Sequence, residues 1–157
     1  RLVGWRAKRH TGVIDVDRKN GLDVLDFWEP IVRRGTQTSL ILDPDEFYIL
    51  ASKDDIEIPV LEAAEMTPID PAVGEFRVHY AGFFDPGFGT DETNSRGSKG
   101  VLEVRSHETP FLLEDGQTVA RLVYEPLTAR PSRLYGEDGS HYLRQGLKLS
   151  KHFRPWR

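Results

Sequence analysis

Phe76-Arg77-Val78-His79-Tyr80-Ala81-Gly82-Phe83-Phe84-Asp85-Pro86-Gly87 is the stretch on which the reading of this chain turns. Residues 76–80 alternate apolar and polar side chains, the period of a half-buried β-strand. Asp85-Pro86-Gly87 then supplies what a tight turn needs. Asp can bond the backbone ahead of it, Pro presets φ, and Gly accepts positive φ. Residues 90–100 are polar and rich in Gly and Ser, so they read as a mobile loop. Val101-Leu102-Glu103-Val104 resumes as a strand.

Working outward, the same pattern recurs on both sides. Ser39-Leu40-Ile41-Leu42 is an apolar run bounded by the turn-like Asp43-Pro44-Asp45. Glu46-Phe47-Tyr48-Ile49-Leu50-Ala51 is rich in aromatic and aliphatic residues. Ile56-Glu57-Ile58-Pro59-Val60 alternates as a half-buried strand does. Pro110-Phe111-Leu112-Leu113 is a further strand, closed by the turn Glu114-Asp115-Gly116, and residues 118–124 form another. Short strands separated by turn residues predict a mostly β fold, a sandwich or barrel with little helix. Residues 21–30 have room for one helical turn, and residues 12–16 form a short apolar stretch. The chain is expected to be one domain over residues 1–157. Residues 1–38 form an irregular N-terminal segment, 39–127 the β core, and 128–157 a polar tail that turns basic at Lys148, Lys151, Arg154 and Arg157.

Composition narrows the function. With 157 residues, one sizeable core is affordable. Lys and Arg number 21 against 25 Asp and Glu, a net charge of −4. That balance argues against binding a nucleic-acid backbone and leaves room for a small anionic ligand. The sequence has no cysteine, so disulfides, thiolate zinc sites and the zinc-deaminase signature are excluded within it. No apolar run is long enough to span a bilayer, and no leader pattern opens the chain. A cytoplasmic protein with no membrane partner is expected, and the start at Arg1 without Met suggests part of a longer chain.

Few residues stand out as chemical. There is no phosphate loop ending in Lys-Ser/Thr and no His-Glu-x-x-His. His10, His79, His107, His141 and His152 lack metal-ligand spacing and read as surface or packing residues. Glu103, between Leu102 and Val104, leaves two readings open. It is a solvent-facing member of the alternation, or it is a carboxylate in a partly dry pocket, able to shuttle protons. Asp85 is a turn residue or a ligand contact. Tyr135, Tyr142, Gln145 and the terminal lysines are a phosphate-binding tail that folds over a ligand, or an ordinary solvated tail.

Several of these fragments, in order, resemble the dUTPase/dCTP deaminase superfamily. Phe84-Asp85-Pro86-Gly87-Phe88-Gly89 is similar to its Asp-Pro-Gly-aromatic turn. Val101-Leu102-Glu103-Val104 resembles the strand that carries the deaminase's catalytic glutamate. Asp115-Gly116-Gln117-Thr118, running on to Leu122-Val123-Tyr124-Glu125-Pro126-Leu127, resembles its Gly hairpin and Glu-Pro-Leu exit. Tyr135 and Tyr142-Leu143-Arg144-Gln145-Gly146 resemble the tail that closes over the triphosphate, and Thr11-Gly12-Val13-Ile14-Asp15-Val16 is a weak counterpart of the first motif.

The resemblance implies a dUTPase-like distorted β-barrel or sandwich that deaminates dCTP to dUTP without zinc. In it Glu103 is the proton shuttle, and the Ala81 carbonyl helps hold the water. Asp85 contacts the deoxyribose, the Val101-Leu102 backbone lines the base, and Phe88 takes the bulky aromatic's place. Tyr135, His141, Tyr142 and Gln145 reach the phosphates, with Mg2+ riding on the triphosphate. His141 stands where a lysine is usual. The family's Ser-Ser pair followed shortly by Arg is missing. Thr67-Pro68-Ile69-Asp70-Pro71-Ala72-Val73-Gly74 stands in its place. The resemblance is therefore to the carboxy-terminal half of a two-domain bacterial form, working as a trimer or as a pseudo-trimer with an amino-terminal half that supplies the missing motif. A dUTP diphosphatase or bifunctional enzyme, and a non-catalytic nucleotide-binding half, remain the alternatives.

Overall fold

A computed structural model of the chain describes the backbone of residues 1–69, 76–79, 82–90, 97–106, 108–136 and 146–156, and, except at 68 and 76–79, their side chains. Among the described residues, ten strands and one helical turn follow in order: β1 (Leu2–Ala7), α1 (Val24–Phe27), β2 (Trp28–Val32), β3 (Ser39–Leu42), β4 (Phe47–Ile56), β5 (Glu62–Pro68), β6 (Phe76–His79), β7 (Phe83–Phe84), β8 (Ser98–Ser106), β9 (Phe111–Glu114) and β10 (Ala120–Pro126). They make a five-stranded sheet in the order β2-β1-β4-β8-β6, a three-stranded sheet β10-β5-β7 and a two-stranded sheet β3-β9. The mostly β expectation is met.

One face of the large sheet makes the main core. Tyr48 and Leu50 of β4 and Leu102 and Val104 of β8 are buried against Leu42 of β3 and Met66 of β5. The alternation of β8 explains this. Ser98, Gly100, Leu102, Val104 and Ser106 point in, while Val101, Glu103 and Arg105 point out. Each buried Leu or Val contributes about 1.5–3 kcal/mol.

The opposite face of the large sheet carries a second cluster. Trp5, directly across from Ile49, packs with Val24, Leu149 and Phe153. The last described residues therefore lie over β1 and α1. Backbone bonds sew this end to residues 20–22: Asn20 N–H donates to the Lys151 carbonyl, Gly21 and Leu22 to that of His152, and Arg154 N–H to that of Leu22.

The structure corrects several expectations. Residues 1–38, expected to be irregular, supply β1, α1 and β2, because Trp5, Val24 and Trp28 have apolar partners in the distant C-terminal segment. The helical turn falls where expected, with the Asp23 carboxylate capping Leu25 N–H at 2.9 Å. Residues 56–60 are not a strand. Ile56 ends β4, Pro59 offers no N–H, and its carbonyl closes a turn by accepting from Glu62 N–H, so the next strand begins at Glu62. Of residues 90–100, the last three belong to β8, and 91–96 lie outside the described residues. The short apolar stretch 12–16 stays outside the core, with Val13 and Val16 exposed. The tail 128–157 is not wholly free to fold over a ligand, since Leu149 and Phe153 are buried in the fold.

Candidate functional site

The Asp85-Pro86-Gly87 turn forms as its residues require. Gly87 and Gly89 both have left-handed φ, +84° and +72°, and Phe88 N–H closes on the Asp85 carbonyl at 3.1 Å. The turn is moored on three sides. Gly87 N–H donates to the Ile58 carbonyl, and Ile58 N–H returns a bond to that of Phe88. Gly97 N–H reaches the Gly89 carbonyl at 2.7 Å, which sets the turn against the start of β8. Tyr135 N–H donates to the Pro86 carbonyl at 3.0 Å, which brings the beginning of the tail to the turn.

Phe88 is the residue whose placement changes most. Its ring is buried among Ile58, Ala64, Phe84 and Tyr135, with ring centroids 5.1 Å from Phe84 and 5.3 Å from Tyr135. It anchors the turn from inside, where an aromatic substrate contact was expected. Asp85 is exposed at the surface of the same turn. The structure thus brings Asp85, Phe88 and Tyr135 together.

Glu103 sits farther along β8. It lies five residues beyond Ser98, about 17 Å up the strand, with Val101 between. Its side chain is exposed and makes no ion pair among the described residues. Among the described residues it is a solvent-facing member of the alternation, and none of them builds a partly dry pocket around it. Its neighbours follow from register. Ile49 of β4 lies across from it on one side and His79 of β6 on the other. Arg105, two residues on and on the same face, holds its guanidinium 5.0 Å from the centre of the Phe47 ring. Leu102 turns its side chain into the core, so only its backbone is available beside Val101. Ala81, His141, Tyr142 and Gln145 lie outside the described residues.

Two displaced pKa values lie in the β1–β4 region. Burial pushes the Tyr48 phenol above its ordinary value, with its hydroxyl accepting Asp43 N–H at 2.9 Å. Hydrogen bonding to Glu29 raises the Arg6 guanidinium, which also lies 3.5 Å from Asp43. These groups tie strands together. Among the described residues, no three His, Asp or Glu side chains gather in a way that would cage a metal.

Two features escaped the sequence reading. The Phe47–Arg105 pair depends on a register no local pattern announces. The clasp of residues 147–156 on β1 had one signal, the aromatic residues Trp5, Phe153 and Trp156 near both ends of the chain.

A family model described as 2'-deoxycytidine 5'-triphosphate deaminase (DCD), C-terminal domain, matches residues 1–153. Among solved structures, the chain is similar to the crystal structure of 2'-deoxycytidine 5'-triphosphate deaminase from Agrobacterium tumefaciens. Identity is 63% and the TM-score 0.74, over 83% of this chain and 38% of that one. The chain thus spans less than half the length of that relative. No curated protein matches it.

Proposed function

Since the chain belongs to the family of dCTP deaminase C-terminal domains, we propose that it supplies Glu103 to a site that deaminates dCTP to dUTP within a longer protein. The observation that carries this reading is the match over residues 1–153, which includes a carboxylate standing without an ion-pair partner among the described residues, on the open face of β8.

The chemistry needs one carboxylate that works twice. Water adds to C4 of the cytosine while Glu103 takes one of its protons and delivers it to N3. Glu103 then moves the hydroxyl proton to the exocyclic amine. The C4–N bond breaks, ammonia leaves, and a uracil ring remains. No zinc is called on. Asp85, exposed on its turn, is suited to a sugar hydroxyl, and the Val101-Leu102 backbone to the base edge. Phe88 serves by holding the turn in shape. Tyr135 would reach the phosphates together with His141, Tyr142 and Gln145. Mg2+ would arrive on the triphosphate and neutralise its charge, a mode that needs few donors from the protein.

Glu103 is exposed among the described residues, so the wall that dries the site lies beyond them. A further domain of the longer protein, or a second subunit of a trimeric or pseudo-trimeric assembly, would supply it along with the absent Ser-Ser and Arg. The test is product analysis on the complete protein with dCTP. Ammonia with dUTP supports the reading, while pyrophosphate without ammonia makes the protein a diphosphatase. No turnover and no loss of dCTP leaves the chain a binding half. The isolated 157-residue chain should not turn over dCTP.

A further inference from the structure

Between β1, α1 and the last described residues lies a cavity of about 260 Å³ that the proposed nucleotide site does not use. Its wall is apolar, made largely by Leu2, Trp5, Val24, Leu149, Phe153 and Trp156. Well-packed interiors keep few voids larger than a water molecule, and side chains that face a void lose the contacts packing supplies. Hydrogen bonds fix the frame of this one. Trp5, 1% exposed, donates its indole N–H to the Leu147 carbonyl at 2.8 Å, and the bonds from residues 20–22 to Lys151 and His152 hold the other side. Trp156 meets Trp5 edge-on at 5.1 Å and is still 40% exposed. The charge at the cavity has one sign. Lys148 and Arg154 border it, both exposed, and neither has a carboxylate partner among the described residues. Arg154 donates one bond, to the Gly21 carbonyl at 3.1 Å. Asp23, next to Val24, has its carboxylate committed to Leu25 N–H at 2.9 Å. In a chain of net charge −4, unpaired cations around an apolar cavity favour an anionic ligand.

From these observations we propose that the cavity binds a small molecule made of one aromatic ring and one carboxylate, with the ring among Trp5, Phe153 and Trp156 and the carboxylate at Lys148 and Arg154. The size fits, since a cavity of about 150 Å³ takes benzene, and this one has room for a ring with a short acidic arm. Edge-on and offset contacts with the surrounding aromatics favour a flat ring, and the two cations offer charge-assisted hydrogen bonds to a carboxylate. The site is separate from Glu103 and does not depend on the proposed function.

The test is calorimetric titration of the complete protein with three probes of one carbon skeleton and different charge: hydrocinnamate, hydrocinnamyl alcohol and hydrocinnamylamine. The acid should bind saturably, with a Kd in about the millimolar range for a molecule of so few atoms. The alcohol should bind about three- to thirtyfold more weakly, the factor expected from two exposed charge pairs, and the amine more weakly again. Lys148→Ser combined with Arg154→Ser should bring the acid down to the alcohol's affinity and leave the alcohol unchanged. Leu2→Trp, which fills part of the cavity, should abolish binding of both, and if that variant fails to fold the serine pair decides alone. Glu103→Gln should leave every affinity as it is. No saturable binding of the acid, equal binding of acid and alcohol, or a serine pair that binds the acid as the parent does overturns the proposal. Loss of acid binding in Glu103→Gln overturns it too, because the probe would then sit in the nucleotide site.

Discussion

Replacing Gly89 with alanine would place a methyl carbon 2.1 Å from the Ile56 carbonyl oxygen and 3.1 Å from Ser98 N. Both atoms are backbone, so no side chain can swing aside. The residue also holds φ at +72°, a region that costs an L residue about 1–2 kcal/mol. Relieving an overpacked contact typically adds about 1–3 kcal/mol. The sum, about 2–5 kcal/mol, corresponds for a chain of this size to roughly 4–20 °C of melting temperature. The loss should be local in origin. Gly89 joins the Asp85 turn to β8 through the Gly97 bond, and displacing it moves Asp85 and the Tyr135 mooring together. Urea unfolding of Gly89→Ala beside Gly82→Ala is the assay, because a Cβ at Gly82 meets nothing within 4 Å. If the two variants differ by less than about 0.5 kcal/mol, the scale expected of harmless surface changes, the account of the turn is wrong.

Other outcomes follow from the two clusters. Phe153→Ala should cost about 3–5 kcal/mol, since its ring fills the space between Phe27, Trp28 and Val24, and unfolding by denaturant would read it. Tyr48→Phe should cost about 1 kcal/mol through the lost bond to Asp43 N–H. The same phenol has a pKa raised in the folded chain, so the folded state holds its proton more tightly than the unfolded one. That contribution is complete below the unfolded value of 10.0 and lost as pH climbs through the folded value. The fall in stability above pH 10 should therefore be shallower in Tyr48→Phe than in the parent.

Strands with strong alternation were legible from the sequence alone. Residues 101–104 came out as a strand because Leu102 and Val104 share one buried face, and residues 39–42 because an apolar run that ends in the core at Leu42 is bounded by turn residues. β1 and β2 did not, because Trp5 and Trp28 owe their burial to residues more than a hundred positions away, and local patterns carry no such signal. Residues 56–60 misled for a different reason. Ile56 and Ile58 do pack inward, but around a turn whose bonds run to Gly87 and Phe88. In the candidate site, the turn chemistry of Asp85 was readable from three residues. The burial of Phe88 was not, since a turn aromatic reads the same whether it faces a ligand or the core. Alternation gave Glu103 its outward direction correctly, and only the family pattern marks it out from Val101 and Arg105 beside it.

The central claim is that Glu103 moves the protons of deamination, and Glu103→Gln in the complete protein tests it most directly. Gln keeps the size and shape of Glu and removes only its charge, so the variant should fold, which its melting temperature checks. The rate of ammonia release from dCTP should fall about 100- to 10,000-fold, the range of general acid–base catalysis. Ammonia release within twofold of the parent, from a variant equally well folded, would contradict the account.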